Sequence, residues 1–201
     1  MERHTTDRSR SVTFEEWTRA CPARYFRVGR GSPGLLTEIL QQAVWDALHH
    51  RDGTHGRIGV QIGSDPDFTV EDDRPRAVDG WGNPLPGFFG SLLDRDRQVP
   101  AAAAALSVRT VVEVRLDGRG HRQELVGTTA TGAREEFATS EPTGTRTAFH
   151  LDPTVCTGPE AAIARTLLPE ELHGPECGAS PSPVAFPIRD LRAETGNPAG
   201  G

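Results

Sequence analysis

The sequence predicts an α+β fold whose strands pair mainly antiparallel, and three observations carry that prediction. Apolar residues recur at helical spacing between Leu35 and His50, at Leu36, Ile39, Leu40, Ala43, Val44, Ala47 and Leu48. The period then drops to two, first at Ile58, Val60 and Ile62, and again from Arg109 to Val126 around the turn Asp117-Gly118-Arg119-Gly120. Helical and strand segments come in blocks instead of alternating, which argues against a βαβ chain.

Along the chain, residues 1 to 12 read as a disordered lead-in, and Thr13-Phe14-Glu15-Glu16 as a capping box opening a short helix that ends before Pro22. A Gly-rich turn from Gly29 to Gly34 leads into the amphipathic helix over Leu35 to His50. The first hairpin passes from Ile58 through Ser64-Asp65-Pro66-Asp67 to Phe68, Val70 and the acidic Glu71-Asp72-Asp73. Asp79 to Pro86 reads as loop, Phe88 to Leu93 as a helical turn, and Pro100 to Leu106 as an Ala-rich helix with Pro at its first position. The second hairpin, Arg109 to Leu116 and His121 to Val126, is followed by strands over Glu135 to Thr139 and Thr145 to Leu151. A helical pattern resumes from Glu160 to Leu172. Residues 174 to 201, with Pro175, Pro181, Pro183, Pro187 and Pro198, read as a loose tail, which leaves 13 to 173 as one domain.

Composition narrows the chemistry. All 22 basic residues are Arg, so a phosphate-binding loop of the G-x-x-x-x-G-K-[ST] type and Schiff-base catalysis are both excluded. The formal net charge of −6 argues against a stand-alone nucleic-acid binder, whose affinity rests on cations neutralising phosphates. Cys21, Cys156 and Cys177 form no C-x-x-C pair and are odd in number, the pattern of reduced thiols in a cytoplasmic protein. No stretch approaches 18 consecutive apolar residues, so no membrane partner is expected. His49-His50 and His55 flank Arg51-Asp52-Gly53-Thr54 as a helix-end loop, where His favours the helix dipole.

Four stretches then stand in order: Glu38-Ile-Leu-Gln-Gln-Ala-Val-Trp-Asp-Ala-Leu48, Phe68-Thr-Val-Glu-Asp-Asp73, Ala105 to Gln123, and Pro142-Thr-Gly-Thr-Arg-Thr-Ala-Phe149. Together, over roughly Phe14 to Leu168, they resemble the ATP-binding domain of the DNA gyrase B subunit and topoisomerase IV, the bacterial GHKL or Bergerat-fold group. The resemblance implies a two-layer sandwich, a mostly antiparallel mixed sheet with helices on one face. It also implies ATP or another adenine nucleotide as cofactor, with Mg²⁺. Glu38 matches the residue that polarises the attacking water, Asp72 the acceptor of the adenine amino group, and Thr145 the Thr that supports the same base. Gln42 stands at the metal-ligand position.

Departures fall on the phosphate side. Where the family has Asn, Gln42 keeps an amide oxygen but moves it by roughly 1.5 Å, a large error for the ~2.0–2.1 Å shell of Mg²⁺. Asp72-Asp73 is followed by Arg74-Pro75-Arg76 in place of Gly-Arg-Gly, so a Gly becomes Arg74 and the Arg that pairs with a helix carboxylate becomes Pro75. The Gly-rich stretch that cradles triphosphate at a helix N-terminus is replaced by Asp94-Arg-Asp-Arg-Gln-Val99 ahead of Pro100, where Arg95 and Arg97 offer a substitute clamp. Leu116 replaces an Arg at the coumarin-contact edge, and Trp45 puts an indole where the family has a polar residue, positioned to fill the cleft or stack on a ligand.

The expectation is a divergent nucleotide-binding module with poor or lost ATP hydrolysis, a degenerate ATPase, without topoisomerase activity of its own. The alternative is a cleft repurposed for a non-nucleotide small molecule, as a specialised-metabolism enzyme or a decoy that binds gyrase inhibitors. A pure protein-interaction role without ligand is the third reading.

Overall fold

A computed structural model describes residues 11–49, 57–76, 78–83, 85, 98–155, 161–168, 172 and 188–192. Its elements are α1 (Phe14–Ala20), α2 (Ala23–Phe26), α3 (Leu35–Leu48), β1 (Ile58–Ser64), β2 (Asp67–Asp72), α4 (Gln98–Ala105), β3 (Ser107–Leu116), β4 (Arg119–Val126), β5 (Thr129–Ala130), β6 (Glu135–Ala138), β7 (Gly144–Leu151) and β8 (Ile188–Asp190). The strands form one eight-stranded sheet in the order β5-β4-β3-β7-β2-β1-β8, with β6 on β4. β8 runs parallel to β1 and the other pairings are antiparallel, so the sheet is mixed and mostly antiparallel. This is the α+β architecture that the block order predicts.

Local chemistry explains the elements. Thr13 and Glu16 form the capping box reciprocally: the Thr13 hydroxyl accepts the Glu16 N–H at 3.1 Å, and the Glu16 carboxylate accepts the Thr13 N–H at 3.0 Å. α3 buries Leu35, Leu36, Ile39, Leu40, Ala43, Val44, Ala47 and Leu48 in one core with Val60, Ile62, Phe68, Val70 and Phe149 of the sheet. The β3–β4 turn is the two residues Asp117 (φ 49°) and Gly118 (φ 80°), the paired positive φ of a type I′ hairpin.

Three expectations change. The Ala-rich helix is described from Gln98 to Ala105, so Pro100 is not its first residue. Ala101 to Ala105 are all buried, and their small side chains let α4 lie close against α1, α3 and β3. Residues 161–168 are irregular despite their helical pattern, because partners outside the segment take its backbone groups. The Thr37 hydroxyl donates to the Ala162 carbonyl and accepts the Ala164 N–H, Asp65 accepts the Ile163 N–H, and Arg192 donates to the Ile163 carbonyl. Within the expected tail, Ile188–Asp190 pairs with Val60–Ile62 as a strand. The anticipated turn at Phe88 to Leu93, the Arg95/Arg97 clamp, His50, His55, Cys156 and Cys177 lie outside the described residues.

Candidate functional site

The C-terminal end of β2 and the N-terminal end of β7 lie side by side, and their register sets Asp72 directly opposite Thr145. Alternation along β2 turns Phe68, Val70 and Asp72 to the helix-covered face, and along β7 it turns Thr145, Thr147 and Phe149 the same way. Both polar residues are therefore buried, Asp72 to 6% exposure. Gly144 permits this approach: a Cβ there would sit 2.2 Å from the Asp72 carbonyl oxygen.

Under α3 these residues close a cavity of about 40 Å³. Ala43 and Ala47 of α3, Val70, Val112 and Phe149 of the sheet, and Pro100 form its apolar wall, while Asp46, Asp72, Arg76 and Thr145 form its polar end. Asp72 Oδ1 accepts the Arg74 N–H at 2.9 Å, and Oδ2 accepts the Arg76 Nε–H at 3.1 Å. The Thr145 hydroxyl donates to the Arg74 carbonyl at 2.6 Å and accepts the Arg76 N–H at 2.9 Å. Burial pushes the Asp72 carboxyl up from 3.8 to about 6, against the opposing pull of the Arg76 charge and the Arg74 N–H. Asp46 is likewise raised by burial, with Arg76 opposing.

Of the residues given a site role by sequence, Asp72 and Thr145 come together, while Glu38, Gln42, Trp45 and Leu116 are not among the residues that line this cavity. Glu38 and Gln42 are half-buried on α3, two turns and one turn before Asp46 respectively, so the three follow one ridge of the helix away from the base end. Trp45 is 40% exposed and stacks on the His49 ring at 4.7 Å. Leu116 packs against Gly82 in the loop after β2.

One expected loss is made good. Pro75 removes the Arg that pairs with a helix carboxylate, yet Arg76, one residue later, donates from Nη1 to Asp46 Oδ2 at 2.8 Å and from Nη2 to the Asp46 carbonyl at 2.8 Å. Sequence reading missed Asp46 and Arg76. The available signal was the four-residue step from Glu38 to Gln42 to Asp46, which sets all three on one side of α3.

The acceptor carboxylate and neighbouring hydroxyl above an apolar wall fit the amino edge of a flat heterocycle in chemistry. In volume they do not, since about 40 Å³ holds little more than a water or two, against the ~300–1,000 Å³ of ligand pockets. For Mg²⁺, no three His, Cys, Asp or Glu side chains among the described residues converge as ligands. Among the described residues, no helix is long and apolar enough to cross a membrane.

The mixed, mostly antiparallel sheet with its backing helices, together with its likeness to a solved gyrase B ATPase domain, supports a GHKL-like fold. The structure is similar to the 43K ATPase domain of Thermus thermophilus gyrase B, solved in complex with an aminocoumarin, with a TM-score of 0.54 and 25% sequence identity. The match covers 72% of this chain and 40% of that one, so the chain spans well under half of the solved domain. No family model matches the sequence, and no curated protein matches it.

Proposed function

We propose that this chain is an adenine-nucleotide-binding module that binds weakly and turns ATP over poorly or not at all. One observation carries the reading: a buried carboxylate and a hydroxyl, Asp72 and Thr145, face each other across adjacent strand ends at the head of an apolar cavity. An exocyclic amine needs such an acceptor, and an apolar wall suits the faces of a purine. If hydrolysis persists, Glu38 is the residue to activate water. Among the described residues no carboxylate cluster converges beside Gln42, so the proposed binding does not call on Mg²⁺.

Thermal melts with ATP, ADP and adenosine test the reading, with and without Mg²⁺. A ligand at 100 times its Kd adds roughly 2.7 kcal/mol of stability, enough for a clear Tm rise. Asp72→Asn replaces one acceptor oxygen by a donor and is expected to abolish that rise. No shift at millimolar nucleotide in the wild type sinks the proposal. Phosphate release by wild type and Glu38→Ala then separates enzyme from binder, since equal rates remove Glu38 as the base.

A second reading has its own support. The wall is apolar, and the solved gyrase domain that this structure resembles holds an aminocoumarin. Under that reading the module sequesters a planar non-nucleotide ligand, and an aminocoumarin raises Tm where ATP does not.

A further inference from the structure

The groups that base recognition requires are already engaged by the chain itself. Both Asp72 oxygens accept hydrogen bonds from the Arg74–Arg76 segment, and the Thr145 hydroxyl gives to and takes from the same segment. The Arg76 guanidinium spans the polar end of the cavity. Its Nε is on Asp72, and its Nη1 and Nη2 are on the side chain and carbonyl of Asp46. All three nitrogens are thus fixed between β2 and α3, and the space left is about 40 Å³.

The geometry points to Arg76 as an internal occupant of the base subsite, a self-ligand that a planar amino-heterocycle must displace from Asp72 before it can enter. The ligand class rests on the function proposed above; the occupancy itself does not. The receptor formed by the Asp72 carboxylate, the Asp46 carboxylate and the Asp46 carbonyl is complementary to a flat array of N–H donors. An incoming ligand therefore has to present donors of its own, or it leaves the buried Asp72 carboxylate and the partly buried Asp46 carboxylate without the cation that now bridges them. Each charge-assisted contact surrendered on entry lowers apparent affinity by about tenfold or more, which makes Arg76 a determinant of how tightly the site binds and what it accepts. In the family pattern an Arg one residue earlier pairs with the helix carboxylate and a Gly stands at the position of Arg76, so what this chain adds is the contact on Asp72, not the grip on Asp46.

Two variants and two probes test the inference. Arg76→Ala empties the subsite, and Asp46→Asn loosens the anchor while leaving Arg76 and Asp72 in place, so one of them serves if the other fails to fold. By titration calorimetry, both are expected to bind ADP with a Kd about tenfold or more below that of the wild type. Methylguanidinium, which replaces the missing side-chain head, is expected to raise the Tm of Arg76→Ala saturably and to leave the wild type unchanged. ADP binding that is unchanged or weaker in the folded variants overturns the inference, as does an equal or absent methylguanidinium shift. The two arms separate the failures. Methylguanidinium rescue without ADP binding to any of the proteins keeps the plug and removes the nucleotide; ADP binding without gain or rescue keeps the nucleotide and removes the plug.

Discussion

Gly144→Ala concentrates the cost of a single methyl group at the seam on which the candidate site is built. The added Cβ would lie 2.2 Å from the Asp72 carbonyl oxygen and 3.3 Å from its carbon, and ordinary contact begins at 3.4 Å. The obstacle is backbone in a paired strand, so relief requires β2 and β7 to part by about 1.2 Å at this end. Overpacking of this kind costs roughly 1–3 kcal/mol, and weakening a terminal ladder bond adds about 1 kcal/mol. The expected loss is about 2–4 kcal/mol, which for a chain of this size lowers Tm by roughly 4–16 °C. Gly132→Ala is the matched control, because a Cβ there meets nothing within 4 Å, and its expected change is within about 0.5 kcal/mol. Guanidinium-chloride unfolding of the three proteins at equal m-value reads the difference directly. If Gly144→Ala unfolds with the control, the close approach of β7 to Asp72 is not a constraint, and the argument for that Gly fails.

Two further outcomes follow from the charges. Because the folded pKa of Asp72 is raised to about 6 from 3.8, the folded state carries the extra proton between those values. Its contribution therefore makes stability fall as pH rises through about 4 to 6, by up to about 3 kcal/mol. Asp152, held down to about 2 by the Arg19 guanidinium and Thr154, titrates below that window. Melts of wild type and Asp72→Asn across it should diverge as pH rises, and parallel curves would show that Asp72 does not titrate there. On the opposite face of the sheet, Arg115 is 2% exposed and pairs with Glu71, Glu113 and Glu141. Arg115→Ala strands three carboxylates around an emptied site; with Glu71 and Glu141 half in solvent, the expected loss is about 2–4 kcal/mol by denaturant midpoint, and under 1 kcal/mol would mark the cluster as ornamental.

Much of the fold was legible because its signals are local. The capping box at Thr13, the apolar stripe of α3 and the Asp117-Gly118 turn each draw their stabilisation from residues a few positions away. Residues 161–168 carry the same helical spacing, but their backbone partners are Thr37, Asp65 and Arg192, which no local window contains. β8 was hidden for the same reason, since three residues become a strand only beside β1. At the site, Asp72 and Thr145 were legible from the order of motifs. The grip of Arg76 on Asp46, 30 positions apart, was not, because it depends on a side chain spanning the gap between a strand end and a helix.

The position of β7 has a consequence for how the chain comes to be folded. It is made after the β1–β2 and β3–β4 hairpins, yet it lies between them, pairing with β2 on one side and β3 on the other. Until residues 144–151 emerge, two hairpins with open inner edges have no shared sheet, a state exposed to wrong pairing and slow to resolve. Thr145 is in that joining strand, so the Asp72–Thr145 pair forms only when β7 docks against β2. The candidate site is assembled by the same event that closes the sheet, and a chain interrupted before residue 144 would lack both the Asp72–Thr145 pair and the strand that joins the two hairpins.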